Sequence, residues 1–334
     1  MIEASTRARL ARLIGRATGT PDAVVTRMEE LRGGAVRRHW RVDAAMGGSA
    51  RSFVLRTDGA TRLGMGLELA DEFALLETLH AAGRAVAPPL LYCGDPALTG
   101  APFHLTGFLE GSAEPALLVA SGPDETLAER LGQELAALQR IRPPLAFLGA
   151  PASHIAATRL DDYRSRLDAM GERRPVAEWA MRWLLRHPPE PLPPVLCHGD
   201  FRTGNYLAEV GRFVALLDWE FAGWGDPDED LAWFCSRCWR FGAHEREAGG
   251  IAPRAALLRG YEAVSGRRPD PARLRYWGAM AAIKWLVIAL LQRDRHLRAG
   301  ERSLDLALTG RRAAECELEL LQLVEEPEDH ARST

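Results

Sequence analysis

Apolar residues recur at helical spacing in the opening stretch, where Leu10, Leu13 and Ile14 share one face among arginines, and the pattern predicts an amphipathic N-terminal helix. The period then shortens. Residues 35–43 (AVRRHWRVD) and 51–57 (RSFVLRT) are strand-like runs, and the glycines of the intervening AAMGGSA predict a hairpin turn. Residues 67–82 return to helical spacing and stop at Gly83, a helix-ending signal. Residues 86–92 and 103–109 predict two further strands. Beyond Gly111 the pattern predicts long helices at 125–141, 159–170, 176–186, 271–298 and 313–324, and residues 325–334 form a polar tail. The expected class is α+β: an N-terminal domain of residues 1–110, a small sheet with one helix behind the N-terminal helix, and a mainly helical domain of residues 111–334.

Composition narrows the function. The chain has 334 residues, 47% hydrophobic and 26% charged, as expected for a globular protein rather than a disordered one. Its net charge is −3 and its pI about 6.3, so no surface built to neutralise nucleic-acid phosphates is expected. The longest apolar run, residues 278–291, contains Lys284 and falls short of the roughly 20 residues a membrane span needs. With no signal-peptide pattern, a cytoplasmic location without a membrane partner is expected. Five cysteines, Cys93, Cys197, Cys235, Cys238 and Cys316, are expected to be free thiols, and the Cys235/Cys238 pair lacks two further ligands for zinc.

The chemistry concentrates in residues 197–207, CHGDFRTGNYL. After Asn205, residues 206–208 and 213–217 are strand-like around the turn 209–212, so a hairpin is expected to bring its outer ends, Asn205 and Asp218, side by side. An amide oxygen and a carboxylate there, with Asp200 upstream, form an oxygen-rich set suited to Mg²⁺. Phosphoryl transfer needs little more than metal ligands across the phosphates and a carboxylate to orient the attacking hydroxyl. Asp200 is the candidate for that carboxylate, Asn205 and Asp218 for the ligands. His198 is expected to hold the loop by hydrogen bonds, and Arg202 to contact the transferred phosphate or the substrate, or to pair with an acid. Asp230 is expected to cap a helix or brace the loop. Glu220 remains open between metal and backbone.

His198, Asp200 and Asn205 in H-x-D-x4-N, the Asp218 of LDWE thirteen residues later and GDPDEDLAW at 225–233 together resemble the aminoglycoside phosphotransferase and choline kinase family, small-molecule kinases of protein-kinase-like fold. The resemblance spans nearly the whole chain. It implies a bilobal fold with ATP and Mg²⁺ as cofactors and a small-molecule hydroxyl compound as acceptor. It further implies that Gly33 and Gly34 cover the nucleotide, that Arg56 binds phosphate with Glu72 as its ion-pair partner, and that Gly107 and Leu109 meet adenine through their backbone. The chain departs from the kinase pattern in lacking a full G-x-G-x-x-G and in carrying arginine at position 56.

Lys284 is the only lysine, so 41 of the 42 basic residues are arginine. It is expected either to bind an acidic group of the substrate or to snorkel from a packed helix. Trp233, Phe234, Trp239 and Phe241, mixed with Arg237, Arg240 and Arg246, are expected either to form a substrate wall for a partly apolar or anionic acceptor rather than a polyamine, or to turn those arginines outward. The rivals are a catalytically silent nucleotide-binding member acting as a sensor or interaction protein, and a metal-dependent hydrolase. The latter lacks a second His/Asp cluster, and the partial GMG at 64–66 does not make a dinucleotide-binding motif.

Overall fold

Five strands, β1 (Val24–Leu31), β2 (Arg37–Met46), β3 (Ser49–Asp58), β4 (Pro89–Cys93) and β5 (Phe103–Gly107), build an antiparallel sheet in the order β1-β2-β3-β5-β4. The computed structural model describes residues 4–31, 37–59, 65–97 and 100–325; Gly33, Gly34, Gly64 and residues 326–334 lie outside the described residues. Contacts divide the chain into two compact units, one of residues 1–111, 207–209 and 214–221, the other of residues 112–206, 210–213 and 222–334.

In the first unit, α1 (Ala4–Thr18) lays Leu10 and Ile14 on the sheet face formed by Val42, Ala44, Phe53, Leu55, Phe103 and Leu105. The opposite face follows from the period of two: Arg56, near the end of β3, pairs in register with His39 of β2 and His104 of β5, so all three point to that side. β2 and β3 join through Gly47 and Gly48, with φ of 55° and 77°, the two-residue turn whose twist suits a hairpin. α2 (Leu69–Ala81) ends at Gly83, where φ is 68°. The unit therefore holds two described helices, α1 and α2. β1 was not foreseen, because its charged residues and half-exposed positions obscure any apolar alternation.

The second unit is mainly helical. It contains α3 (Pro115–Ala120), α4 (Glu125–Leu138), α5 (Ile155–Met170), α6 (Pro175–Arg186), α7 (Glu229–Cys235), α8 (Arg254–Ser265), α9 (Pro271–Leu297), α10 (Leu304–Arg311) and α11 (Ala313–Glu325). Short β6 (Val195–Cys197) pairs with β9 (Gly223–Gly225). β7 (Tyr206–Glu209) and β8 (Arg212–Leu216) form the expected hairpin, with residues 207–209 and 214–216 counted in the first unit. α3, α7, α8 and α10 are additions to the expected helices.

α4 and α8 pack backbone to backbone. A Cβ on Gly132 would stand 2.1 Å from the Leu257 carbonyl oxygen, and one on Gly260 would stand 1.9 Å from that of Glu129. α9 is 27 residues long, beyond the apolar run in the sequence, and by length and composition it could cross a membrane. Its most apolar window is instead 72% buried within the protein, as befits a core helix.

Candidate active site

In the first unit the polar face of the sheet carries a buried charge cluster. Glu72 reaches it from the first turn of α2 and is 1% exposed, which rules out a solvated helix surface for this residue. Arg56 places Nε 3.3 Å from Glu72 Oε1, donates from Nη1 to Asp218 Oδ1 at 2.6 Å, and holds Nη2 3.6 Å from Glu220 Oε2. Burial opposes the charge on Arg56, but Glu72, Asp218 and Glu220 outweigh it and its pKa rises. Burial likewise pushes Glu72 up, against the pull of Arg56 and Arg37, and raises Glu220 to about 7.

Asp218 lies just beyond β8 with φ at 58°, a left-handed conformation that aspartate tolerates better than most residues. Glu220 follows in a single 3₁₀ turn, Trp219–Phe221. His104 is pushed well below its ordinary range by burial and by Arg56 and Arg37, which favours its neutral form. The Gly107 N–H donates to the Pro88 carbonyl at 2.8 Å and is occupied in the sheet edge; Phe108 N–H donates to Ser52.

The second unit holds the polar loop between β6 and β7. Asp200 is its centre: Oδ1 accepts from the Trp233 indole N–H at 2.9 Å, and Oδ2 accepts from Asn205 Nδ2 at 2.6 Å and Arg202 Nε at 3.1 Å. Asn205 Nδ2 also bonds the Asp200 carbonyl. With its nitrogen so engaged, the Asn205 side chain has its amide oxygen as the atom able to face a cation.

Asp230, in the first turn of α7, accepts from the backbone N–H of His198 at 2.6 Å and of Gly199 at 3.0 Å, and so braces the loop. Burial raises its carboxyl to about 6 against these bonds. His198 is fully buried, and its Nδ1 accepts from the Asp200 N–H, a loop-holding role. Asp226 and Asp228 are tied to Arg273 of α9, with closest approaches of 2.6 and 2.7 Å.

Lys284 does not snorkel. Its ammonium donates to the Gly199 carbonyl and stands 4.3 Å from the centre of the Trp233 ring, the ring whose N–H holds Asp200. Burial lowers its pKa, opposed by Asp200 and Asp230. Trp239 packs against Trp233 and Trp285 at 5.2 and 4.7 Å between ring centres, with the Arg202 guanidinium 4.6 Å from its own. Of the arginines expected along this wall, Arg240 donates to the Cys235 and His244 carbonyls and Arg246 to that of Val119. Both are spent on bracing backbone.

The family model described as APH, phosphotransferase enzyme family, matches residues 27–277, which is 251 of the 334. This chain belongs to the phosphotransferase enzyme family. Among curated proteins it is similar to acyl-CoA dehydrogenase family member 10 of Mus musculus, 29% identical over 49% of this chain and 16% of that protein. It is similar to acyl-CoA dehydrogenase family member 11 of Rattus norvegicus, 26% identical over 71% of this chain and 33% of that protein. The chain thus spans a third or less of the length of these two relatives.

Among solved structures it resembles a provisionally named aminoglycoside phosphotransferase of Ralstonia eutropha, with a TM-score of 0.73 at 18% identity, covering 95% of this chain and 98% of that one. It also resembles a spectinomycin phosphotransferase in complex with ADP and spectinomycin, with a TM-score of 0.64 at 11% identity, over 95% and 98% of the chains. The fold of this phosphotransferase-family chain is protein-kinase-like and α+β, with a β-sheet N-terminal region and a mainly helical C-terminal part.

One residue of each cluster escaped the sequence. Arg37, at the start of β2, is as buried as Arg56 and shares Glu72 and Glu220 with it. Its position two residues before His39, on the same strand face, was the available signal. Trp233 stood in the expected wall, but nothing in its spacing announced an indole bonded to Asp200.

Proposed function

We propose that this family member transfers the γ-phosphate of ATP, with Mg²⁺, to a hydroxyl of a small molecule. The observation that carries the reading is Asp200, whose two oxygens are aimed by Arg202 and Asn205 of its own braced loop and by Trp233 of α7. Such a carboxylate is suited to orient the attacking hydroxyl and to accept its proton while the acceptor oxygen bonds to phosphorus and the bond to the bridging β,γ-oxygen breaks. The Asn205 amide oxygen and the Asp218 carboxylate are the hard donors that would hold Mg²⁺, which when bound supplies charge neutralisation on the phosphates. Arg56 is the phosphate-facing cation, positioned by Glu72. Gly33 and Gly34 would cover the nucleotide, and the backbone near Gly107 and Leu109 would meet the base, Leu109 in preference because the Gly107 N–H is already bonded.

For the acceptor, Trp233, which bonds Asp200, and the Trp239 and Trp285 rings packed on it favour an apolar hydroxyl compound over a polyamine. Because two relatives are named as acyl-CoA dehydrogenase family members, acyl-CoA compounds that carry a hydroxyl are one class to screen.

The test is Asp200→Asn against the native chain, with ATP consumption followed in the presence of hydroxyl acceptors. Turnover should fall by about 10²–10⁴-fold while Mg-ATP binding persists. Undiminished turnover would overturn the mechanism. Nucleotide binding without phosphate transfer to any acceptor would instead mark a silent, nucleotide-sensing member.

A further inference from the structure

We infer that Arg37 is a positioning residue for the nucleotide phosphates: it keeps Glu72 and Glu220 neutralised so that Arg56 can leave Asp218. The inference rests on the phosphotransfer reading above. Arg37 opens β2 with 3% of its side chain exposed, so it acts on a ligand through other residues. Its Nη1 lies 2.7 Å from Glu72 Oε2, its Nε donates to Glu220 Oε2 at 3.1 Å, and its Nη2 donates to the Leu67 carbonyl at 2.6 Å.

The division of labour is visible oxygen by oxygen. Arg56 takes Glu72 Oε1 and Arg37 takes Oε2, while both approach the same Oε2 of Glu220. Asp218, by contrast, is served by Arg56 at 2.6 Å, with His39 at 3.9 Å. Four carboxylates therefore surround two guanidinium groups: Arg56 reaches Glu72, Glu220 and Asp218, while Arg37 reaches Glu72, Glu220 and, at 3.8 Å, Asp58.

The proposed reaction asks Arg56 to face phosphate and Asp218 to face a cation, and both duties require the Arg56–Asp218 pair to open. A buried carboxylate stripped of its partner is expensive. If Arg56 were the sole cation for Glu72 and Glu220, those acids would hold it in place. Arg37 stays behind as their counter-ion, pinned by the Leu67 carbonyl, whose own N–H donates to the Glu220 carbonyl at 2.7 Å. One arginine is thereby fixed and the other left free to move.

The experiment measures the dissociation constants of Mg-ATP and of adenosine by calorimetry for the native chain, Arg37→Met and Arg37→Lys. Adenosine carries no phosphate and is the control. In Arg37→Met the Mg-ATP constant should rise by about tenfold or more, with the adenosine constant unchanged. Arg37→Lys, a point charge where a fork served two carboxylates, should fall between the two. Unchanged Mg-ATP affinity in Arg37→Met, or equal weakening of both ligands, overturns the inference. If Arg37→Met does not fold, Arg37→Lys decides alone: weaker Mg-ATP binding with intact adenosine binding supports the role, and native Mg-ATP affinity overturns it. A native chain that binds adenosine but gains nothing from the phosphates of Mg-ATP overturns the phosphotransfer reading together with this one. Native Mg-ATP binding that is indifferent to Arg37 overturns this one alone.

Discussion

Lys284 shows how a residue's neighbours decide its role. A lysine on an apolar helix invites either a substrate or a snorkelling assignment, yet its ammonium is turned inward to the Gly199 carbonyl and the Trp233 ring. Removing that charge should disturb the loop that carries Asp200 more than it disturbs binding. Lys284→Met is therefore expected to lower kcat by about tenfold, with little change in acceptor KM; a raised KM at constant kcat would return Lys284 to the substrate. Val210 lends itself to a stability prediction. It sits fully exposed at the tip of the β7–β8 hairpin with φ at 48°, followed by Gly211 at 73°. A β-branched residue is costly there, and asparagine is the favoured occupant of such turns. Val210→Asn should raise stability by about 1 kcal/mol, seen as a shift of a few degrees in thermal unfolding.

Among elements, the α4–α8 contact depends on glycine because the backbones approach closer than any side chain allows. Gly260→Ala should cost about 1–3 kcal/mol, measured as a lower midpoint in urea, since the Glu129 backbone cannot yield as a flexible side chain could. α7 supplies the loop brace, and with it a pH dependence. The Asp230 carboxyl, ordinarily near 3.8, is raised to about 6 by burial, so between these values the folded chain holds more protons than the unfolded one. From this group, global stability rises as pH falls from about 6 to 4, while activity should decline through the same window as the ionised brace on His198 and Gly199 is lost. Asp230→Asn should flatten both trends, as read from paired pH profiles of turnover and thermal stability.

At the scale of the whole molecule, a ligand bound by the folded chain alone must stabilise it. Mg-ATP at 100 times its dissociation constant should add about 2.7 kcal/mol, and Asp218→Ala should abolish most of that gain. A thermal scan of both proteins checks it, and a full shift in the variant would remove Asp218 from the metal site. Much of this architecture was legible in the chain. The α1 stripe, the β2–β3 turn, the helix ending at Gly83 and the β7–β8 hairpin each follow from short-range periodicity and turn residues, whose physics is local. β1 was not, because an edge strand with few buried positions leaves almost no apolar alternation.

By itself the sequence determined the order and type of most elements and the spacing of Asp200, Asn205 and Asp218, because helical and strand periods, and the turn that joins two strands, are written in neighbouring residues. Only the tertiary structure decided which charges share a carboxylate and which arginines are spent on backbone. Arg37 and Glu72 meet across thirty-five positions of chain, and Lys284 meets Gly199 across eighty-five. Arg240 and Arg246, alike in sequence to any site arginine, cap carbonyls instead. Partnership of this kind depends on burial, which makes an unpaired charge or polar group costly, and burial is a property of the folded chain rather than of any window along it.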